Sequence, residues 1–420
     1  MFSLAFNYTL RRRLFLLRAL VIDCGIGWFI FFTLLLCFSS CGDKRHTADE
    51  VLVINPKEAD RSMLLSELVD SVYYIKLETS ENCLMGQLRE VVIKEKYIYA
   101  IDKQQEAIFV FDKKGRFISK LDNKGESPEE YTVMGPVFIS ENEDFIEVID
   151  DSKRERSRMI KYSNISFEYL RERPVIAPVA NSWRRKNDFM YFSTQQIENI
   201  VNDEVTNADL IVVKDNKDQR ALFKKNIDSQ GNTFSPNVES FTVNDKGDIY
   251  VSLMYSNTFY QLSGMEADPI LTIDFEKYGM DNTVGQRSTQ KQMEYLERGT
   301  EGLATFPVLN INNDDVMAFS YYFKENSTNQ LNHYINFKKS NRYFHVHKIV
   351  NDLTDFPRNI YLSSYLWAIR YEVMHGDFLV EVVLPWHELQ EKEMYFNGVG
   401  TVKAEDNPII LLMKPKKVFM

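Results

Sequence analysis

The sequence predicts an all-β protein built as a β-propeller, and three observations support this. Beyond residue 50, apolar and polar residues alternate with the period of a strand, as in "YIYAID" (97–102) and "AIFVFD" (107–112). Such runs recur about every 8–12 residues, which is typical of a sandwich, a barrel or a propeller. A hairpin-like unit also returns along the chain, and units of roughly 45–60 residues divide residues 51–420 into about six. We therefore expect a six-bladed β-propeller of four-stranded antiparallel blades.

The start of the chain is predicted to be an export signal followed by a short tether. A basic segment, "RRRLFLLR", precedes the apolar run "GIGWFIFFTLLLCF", and "SS" stands directly before Cys41. This ending resembles the lipobox of bacterial lipoproteins, which implies lipidation of Cys41, although Phe38 and Asp23 depart from the usual pattern. The alternative is an uncleaved anchor that spans the membrane with "ALVIDCGIGWFIFFTLLLCF". The predicted boundaries are 1–40 for the signal peptide, 41–50 for the tether and 51–420 for the propeller.

Charge and cysteine content narrow the function classes. The formal net charge is −10, and the first forty residues are basic, so the remainder is more acidic than the whole. An acidic body argues against nucleic acid as a partner, because phosphates are neutralised by clustered lysine and arginine. Cys24 and Cys37 lie in the predicted signal and Cys41 is the acylation candidate, which leaves Cys83 alone. One thiol forms neither an intrachain disulfide nor a multi-cysteine metal site.

The repeated unit consists of an apolar strand, a polar turn and a second strand. It runs through "YIYAIDKQQEAIFVFDKKGRFI" (97–118) and returns in "FIEVIDDSKRERSRMIKYS" (145–163) and "DIYVSLMYSNTFYQLSG" (248–264). Helical periodicity is weak by comparison, and the first of its candidates could equally be a turn before a strand. The helix candidates are "RSMLLSELVD" (61–70), "STQKQMEYLERG" (288–299) and "LPWHELQEKE" (384–393).

Four stretches frame residues 64 to 416, namely "LSELVDSVYYIKLET", "YIYAIDKQQEAIFVFDKKGRFISKLDNKGESPEEY", "YSNTFYQLSGMEADPILTIDF" and "AEDNPIILLMKPKK". Together they resemble the six-bladed β-propeller lipoproteins of Bacteroidetes, a family distantly similar to NHL-repeat propellers. The resemblance implies the fold and carries no activity. It also implies that strands from the two ends of the chain share a sheet and close the ring. The candidates for this pair are "PIILLMK" and "EVLVINP" (50–56).

The loop "KLDNKGESPEEY" (120–131) follows the family pattern Gly-x-Gly-Pro-x-Glu-Tyr except at Ser127, where the family favours glycine. We therefore expect the backbone at Ser127 to avoid positive φ. Glutamates in a loop flanked by serine and proline are usually solvated, which argues against a glycosidic acid–base pair. Glu130 and Tyr131 are predicted to tie the loop to a neighbouring blade.

Two patterns raise the question of a metal. His345 and His347 in "FHVHK" point to the same face of a strand and are the weak candidates for a metal site, with surface or packing roles as the alternative. "VNDKGDIYV" and "NINNDDVMA" contain fragments of calcium loops without the full ligand pattern, and we interpret both as tight turns. The sequence has no phosphate-loop, H-E-x-x-H or G-x-S-x-G motif, and no cofactor is expected.

Aromatic residues beside arginines are the candidates for ligand binding. Trp183 next to Arg184, and Trp367 near Arg370, could stack on a sugar ring or a peptide. The alternative is packing between blades, in which arginine stems cover aromatic surface.

The expected function is binding rather than catalysis. Propellers gather loops from every blade around a central channel, which makes a concave face without special catalytic residues. We expect an envelope lipoprotein, anchored by its lipid to the outer membrane, whose propeller binds a glycan, a peptide or a partner protein. The alternative is an envelope carbohydrate lyase or hydrolase that works in the channel. A cluster of histidine, tyrosine, arginine or carboxylate groups at one mouth would favour the enzyme, and a mixed rim would favour binding.

Overall fold

The computed structural model describes most of the chain beyond the predicted signal and tether. Cys41 and Trp367 lie outside the described residues, as do the predicted signal peptide and its boundary. The described residues are 50–150, 157–225, 240–356, 359–363, 369–389 and 391–418.

An N-terminal arm, residues 50–76, precedes the first blade. A 3-10 turn at Pro56–Glu58 and a single helical turn, α1 (Leu65–Leu68), separate its strands. Asn55 caps the 3-10 turn by accepting the amide of Lys57 at 3.1 Å. The strands of the arm are β1 (Glu50–Val53), β2 (Met63–Leu64) and β3 (Val69–Lys76).

Six sheets built on four antiparallel strands can be traced in the described residues, and each forms one blade; the sheet of blade four carries β1 as a fifth strand. The predicted six-bladed β-propeller is therefore confirmed. In blades one and two, strands that follow each other in the chain are neighbours in the sheet. Blade one contains β4 (Leu88–Ile93), β5 (Tyr97–Asp102), β6 (Ala107–Asp112) and β7 (Phe117–Leu121). Blade two contains β8 (Met134–Ile139), β9 (Phe145–Asp150), β10 (Arg158–Ser163) and β11 (Tyr169–Pro174).

Blade three differs by an inserted hairpin, which forms a separate two-stranded sheet between its second and third strands. The strands of blade three are β12 (Ser182–Lys186), β13 (Phe189–Ser193), β16 (Ala208–Lys214) and β17 (Asp218–Lys224), and the hairpin is β14 (Asn199–Val201) with β15 (Glu204–Thr206). Blade four contains β18 (Phe241–Val243), β19 (Ile249–Ser252), β20 (Thr258–Ser263) and β21 (Glu266–Asp274).

Two 3-10 turns, Glu276–Tyr278 and Asn282–Gln286, and the helix α2 (Thr289–Arg298) lead to blade five. Blade five contains β22 (Ala304–Asn312), β23 (Val316–Glu325), β24 (Thr328–Phe337) and β25 (Arg342–Val346), and a short strand β26 (Ile349–Val350) follows. Blade six contains β27 (Met374–His375), β28 (Phe378–Val383) and β31 (Ile409–Pro415), with α3 (Pro385–Glu388) and the hairpin of β29 (Glu393–Phe396) and β30 (Gly400–Lys403) inserted.

The helix prediction over 288–299 is confirmed by α2, whereas the other two candidates contribute a single turn each, α1 and α3. Leu65 and Leu68 of α1 are completely buried, whereas Trp386 of α3 is exposed. Among the described residues, no helix has the length and apolar character needed to cross a bilayer.

Apolar side chains fill the space between neighbouring blades. Tyr99 and Ile108 of blade one, and Val148 and Ile160 of blade two, are completely buried in one cluster. Their removal from water on both faces of each sheet is the main contribution that holds the blades together.

Aspartates at the ends of the second strands fix the loops beside them. Asp102 Oδ1 accepts the amides of Gln104 at 2.7 Å and Gln105 at 2.8 Å. Asp150 Oδ1 accepts the amide of Val133 at 3.1 Å. These residues close "YIYAID" and "FIEVID", so the repeat seen in the sequence is also a repeat of structure.

The ring is closed in blade six, where β3 of the arm pairs antiparallel with the C-terminal β31. Val72 lies opposite Met413 and Tyr74 opposite Leu411. The expected sharing of a sheet by the two ends of the chain is therefore confirmed, and "PIILLMK" is its C-terminal member.

The N-terminal candidate "EVLVINP" (50–56) was wrong. Its strand β1 pairs parallel with β21 at the outer edge of blade four, with Val51 opposite Thr272 and Val53 opposite Asp274. Both valines are more than half exposed, at 58% and 56%, so β1 lines an edge instead of completing a buried sheet. The closing strand is β3, which leads directly into blade one. Apolar pattern could not separate β1 from β3, because both are short β-rich runs.

Candidate functional site: the mouth of the central channel

The first strands of the six blades, with the turns that follow them, surround one cavity of about 760 Å³. We call this cavity the channel mouth. Every blade contributes to it, so its surroundings depend on ring closure and not on any single repeat. One residue from each blade, in chain order, is Lys94, Glu147, Arg184, Asn244, Asn312 and His375.

Arg184, from β12, joins three blades. Its guanidinium lies 3.7 Å from a carboxylate oxygen of Glu90 on β4 and 3.1 Å from Glu372, which precedes β27. The side chains of Arg184 and Glu90 are largely buried, at 13% and 9% exposure. Glu372 also accepts the amide of Val243 at 3.3 Å. Buried charges of opposite sign require each other, so this group holds the first strands in place.

Further ion pairs link neighbouring blades around the rim. Arg185 contacts Glu147 of blade two, and Lys186 Nζ lies 2.9 Å from Asp248 of blade four. The hydrogen bond from Lys186 lowers the pKa of Asp248 below its ordinary value.

Blades four and five are joined in the same way. Lys246 Nζ lies 2.6 Å from Asp314. That hydrogen bond lowers the pKa of Asp314, so the carboxylate stays ionised well into the acidic range.

Trp183 lies at the floor of the cavity and is 7% exposed. The guanidinium of Arg370 lies over its ring at 4.4 Å from the centroid, and that of Arg89 lies at 5.3 Å. Arg89 donates to the carbonyls of Met134 at 3.2 Å and Gly135 at 3.1 Å. Burial lowers the pKa of Arg89 to about 10, so it remains a cation at neutral pH.

Two buried polar atoms of this floor have no hydrogen-bond partner among the described residues. They are the indole Nε1 of Trp183, a donor, and Oε2 of Glu90, an acceptor. Buried polar groups in folded proteins are nearly always paired, with protein, water or ligand. Both atoms lie behind the cavity wall, where no solvent reaches them.

The side of the mouth formed by blades one and six carries cations of a different kind. Lys113 Nζ donates to the carbonyl of Lys94 at 2.6 Å and lies 3.4 Å from Nε2 of His375. Burial, together with the charges of Lys113 and Lys94, lowers the pKa of His375.

The structure brings together three of the four residues predicted to bind ligand, namely Trp183, Arg184 and Arg370. Trp367 lies outside the described residues. Arginines lie over the Trp183 ring, which is the arrangement that the packing alternative describes.

Sequence reasoning missed the carboxylates of the channel mouth, Glu90, Glu147 and Glu372. Glu90 and Glu372 lie far from Arg184 in the chain, the latter by 188 residues. Glu90 lies in the first strand of blade one, and the first strands surround the cavity. Its place in the repeat could therefore have identified it.

His345 and His347 lie at the outer edge of blade five, away from the channel mouth. His345 Nε2 lies 2.7 Å from the hydroxyl of Tyr321, and His347 Nδ1 contacts the amide oxygen of Asn332. Burial lowers the pKa of His345 to about 4. The two imidazoles thus have separate protein partners. Among the described residues, no group of three His, Cys, Asp or Glu side chains is placed to hold a metal.

Both fragments of calcium-like sequence are tight turns, as predicted. Asn244 Oδ1 accepts the amides of Lys246 at 3.1 Å and Asp248 at 2.8 Å. Asn313 Oδ1 accepts the amide of Val316 at 2.7 Å. These asparagines shape the hairpins that form the rim of the channel mouth.

The loop at 120–131 joins blades one and two. The hydroxyl of the buried Tyr131 donates to the carbonyl of Glu106 at 2.6 Å, which confirms the predicted tie. The carboxylate of Glu130 stays within the loop, where it accepts the amide of Ser127 at 2.9 Å. Ser127 is not among the described residues with positive φ, as its departure from the family pattern predicted.

Comparison with known proteins places the fold. A protein of Bacteroides fragilis described as exported is 14% identical, with a TM-score of 0.62, over 87% of this chain and 100% of that one. A member of the DUF4221 family from Bacteroides vulgatus is 9% identical, with a TM-score of 0.46, over 83% of this chain and 98% of that one. No curated protein sequence shows significant similarity.

The B. fragilis structure shares the fold of this chain, and at this identity the likeness extends no further. A family model described as a domain of unknown function, DUF4934, matches residues 51–414. That match covers the arm and all six blades. The chain therefore belongs to the DUF4934 family.

Proposed function

We propose that this protein is an extracytoplasmic, lipid-anchored binding protein whose ligand occupies the channel mouth. The observation that carries this proposal is the cavity itself, which all six blades line with charged and polar side chains. A cavity of about 760 Å³ accepts part of a glycan, a peptide or a side chain of a partner protein. Each of these offers polar groups that can pair with the side chains around the mouth.

The anchor is proposed from the sequence, since Cys41 follows a basic segment, an apolar run and two serines. Replacement of Cys41 by alanine is expected to release the protein from membranes, because a lipid chain supplies the attachment. Labelling with a radioactive fatty acid is the companion measurement. A Cys41→Ala protein that still sediments with membranes would overturn the lipoprotein proposal and favour the uncleaved anchor.

Binding is favoured over catalysis by how the carboxylates are held. Glu90 and Glu372 face Arg184, and Glu147 faces Arg185. These carboxylates are engaged in ion pairs between blades, whereas a general acid of glycoside cleavage must be free to protonate the leaving group.

The alternative remains a carbohydrate lyase or hydrolase of the envelope, and one observation favours it. Arginines, carboxylates and His375 do gather at one mouth, as expected of such an enzyme. Incubation of the purified protein with envelope and host polysaccharides distinguishes the two functions. Release of new reducing ends or unsaturated sugars, lost in Glu90→Gln, would replace binding by catalysis.

The binding proposal is tested by purification of the tagged protein from native membranes, followed by identification of bound protein and glycan. We expect a specific companion that is reduced in Glu90→Gln, because the amide presents different hydrogen-bonding groups to the ligand. Glu266→Gln is the matched control, since Glu266 forms an exposed ion pair with Arg220 away from the cavity. Equal recovery of the companion with both variants would exclude the channel mouth as the binding site.

A further inference from the structure

The cations around the channel mouth fall into two groups. Those supplied by blades three and four each contact a carboxylate, as described above for Arg184, Arg185, Lys186 and Lys246. Two lysines supplied by blade one differ from these. In the described part of the chain, Lys94 and Lys113 have no carboxylate within ion-pair distance, and Lys94 and His375 line the cavity.

The acid nearest to Lys113 is already engaged. Glu143 attracts the ammonium of Lys113 electrostatically, but its carboxylate accepts the amides of Lys96 at 2.8 Å and Tyr97 at 3.0 Å. It also accepts the hydroxyl of Tyr99 at 3.2 Å. Its oxygens are thus directed at the backbone of blade one.

His375 adds a neutral donor to this group. An ammonium can only donate, so the contact from Lys113 makes Nε2 of His375 the acceptor and leaves the ring proton on Nδ1. Burial lowers the pKa of His375, and the two lysines lower it further because they disfavour a third positive charge. Lys94 and His375 therefore line one side of the cavity and Lys113 contacts both, and in the described part of the chain none of the three forms an ion pair with a carboxylate.

We propose that Lys94, Lys113 and His375 form a subsite for the oxyanion group of a ligand, a carboxylate, phosphate or sulfate, held at the channel mouth. The cavity is much larger than a bare anion, so the oxyanion belongs to a larger organic molecule. This inference rests on the proposed function in one respect, namely that the ligand occupies the mouth. The cations of blades three and four stay with their carboxylates, and the two lysines of blade one, with His375 of blade six, receive the ligand's charge.

The experiment uses the full-length protein in detergent micelles, with acetate, inorganic phosphate and inorganic sulfate as probes against chloride at equal ionic strength. Nuclear magnetic resonance of the imidazoles follows His375, whose signal is assigned by its loss in His375→Gln. We expect at least one probe to shift this signal saturably and to raise the pKa of His375, because a bound anion offsets the lysine charges. A response to acetate alone identifies a carboxylate, and a response to phosphate or sulfate identifies a tetrahedral oxyanion.

The matched variants are Lys94→Gln and Lys246→Gln. Both remove one partly exposed cation from the same mouth, but Lys246 is paired with Asp314. Lys94→Gln is expected to weaken the response about tenfold, and Lys246→Gln to leave it unchanged. No response to any probe, an equal response in Lys94→Gln, or equal weakening by both variants would overturn the subsite.

These results are independent of the companion found in native membranes. If the companion is lost in Glu90→Gln while the wild-type protein ignores all three anions, the subsite fails and the proposed function stands. If the anions bind at His375 and no companion depends on Glu90, the subsite stands and the proposed function fails.

Discussion

The two sides of the channel mouth are held together by different forces. On the side of blades three and four, cations reach across to carboxylates of other blades, with Arg184 as the most buried example. On the side of blades one and six, the main chain makes the connection. There β3 pairs with β31, the amide of Val91 donates to the carbonyl of Arg370 at 2.8 Å, and the amide of Arg370 to the carbonyl of Arg89 at 3.0 Å.

The difference shows how a ring can be closed and still leave charge for a ligand. Where side chains supply the contacts between blades, the cations are consumed by structure. Where the backbone supplies them, Lys94 and Lys113 are left without a carboxylate among the described residues. Substitutions on the two sides should therefore have different consequences, the first mainly for stability and the second mainly for binding.

The largest effect is expected on the paired side, from Arg184→Ala. This change removes the ion-pair partner of the buried Glu90, which should reduce the free energy of unfolding by about 3 kcal/mol. Urea denaturation followed by circular dichroism measures the loss. Arg220→Ala, in an exposed pair, should cost less than about 1 kcal/mol. Equal losses in the two variants would show that the channel pairs contribute no more than surface pairs.

A smaller effect is expected at the backbone seam, from Gly115→Ala. Gly115 has φ of +81° and lies against the carbonyl of Lys76 in β3, so an added Cβ would meet that oxygen. We expect a loss of about 2 kcal/mol, measured by the same denaturation. Gly247→Ala is the control, since it has φ of +72° and open space around it, and it should show only the conformational cost of about 1 kcal/mol. If both variants lose the same amount, close contact at the closing seam is not what makes Gly115 necessary.

The smallest effect on stability at neutral pH is expected from Lys94→Gln, because Lys94 forms no ion pair with a carboxylate in the part of the chain that the structure describes. Its consequence should appear in the titration of His375. Because Lys94 helps to lower the pKa of His375, that pKa should rise toward its ordinary value in Lys94→Gln. An imidazole pH titration by nuclear magnetic resonance provides the measurement, with Lys246→Gln as the control that leaves the value in place.

The same titration has a consequence for stability. A histidine whose pKa is lowered in the folded protein binds fewer protons than in the unfolded chain, so its contribution falls as the pH drops below about 6.5. As the pH falls, Lys94→Gln should therefore lose less free energy of unfolding than the wild-type protein. If both proteins lose the same free energy of unfolding at acidic pH, Lys94 does not act on His375.

Local pattern accounted for the blades but not for the route of the arm. Alternation in "YIYAID" and its repeats predicted strands, because a side chain's position on a sheet follows from its place in the chain. The arm presents two runs of similar character, β1 and β3, and only their pairing with β21 and β31 distinguishes them.

The candidate site shows the same division. Trp183 and Arg184 were found because they are adjacent in the sequence, whereas Glu90 and Glu372 become their neighbours only when blades one, three and six meet. Asn244 was predicted correctly to form a turn, because a turn depends on residues that are neighbours in the chain. Its place on the rim of a cavity depends on contacts between blades.

By itself, the sequence determined the all-β class, the number of blades and the turns at Asn244 and Asn313, because each depends on residues that are close in the chain. The tertiary structure alone decided which strand closes the ring and which carboxylates face Arg184. It also decided which lysines have no carboxylate partner among the described residues. Those outcomes depend on contacts between blades, where residues that are hundreds of positions apart come within a few ångströms, and no local pattern encodes that distance.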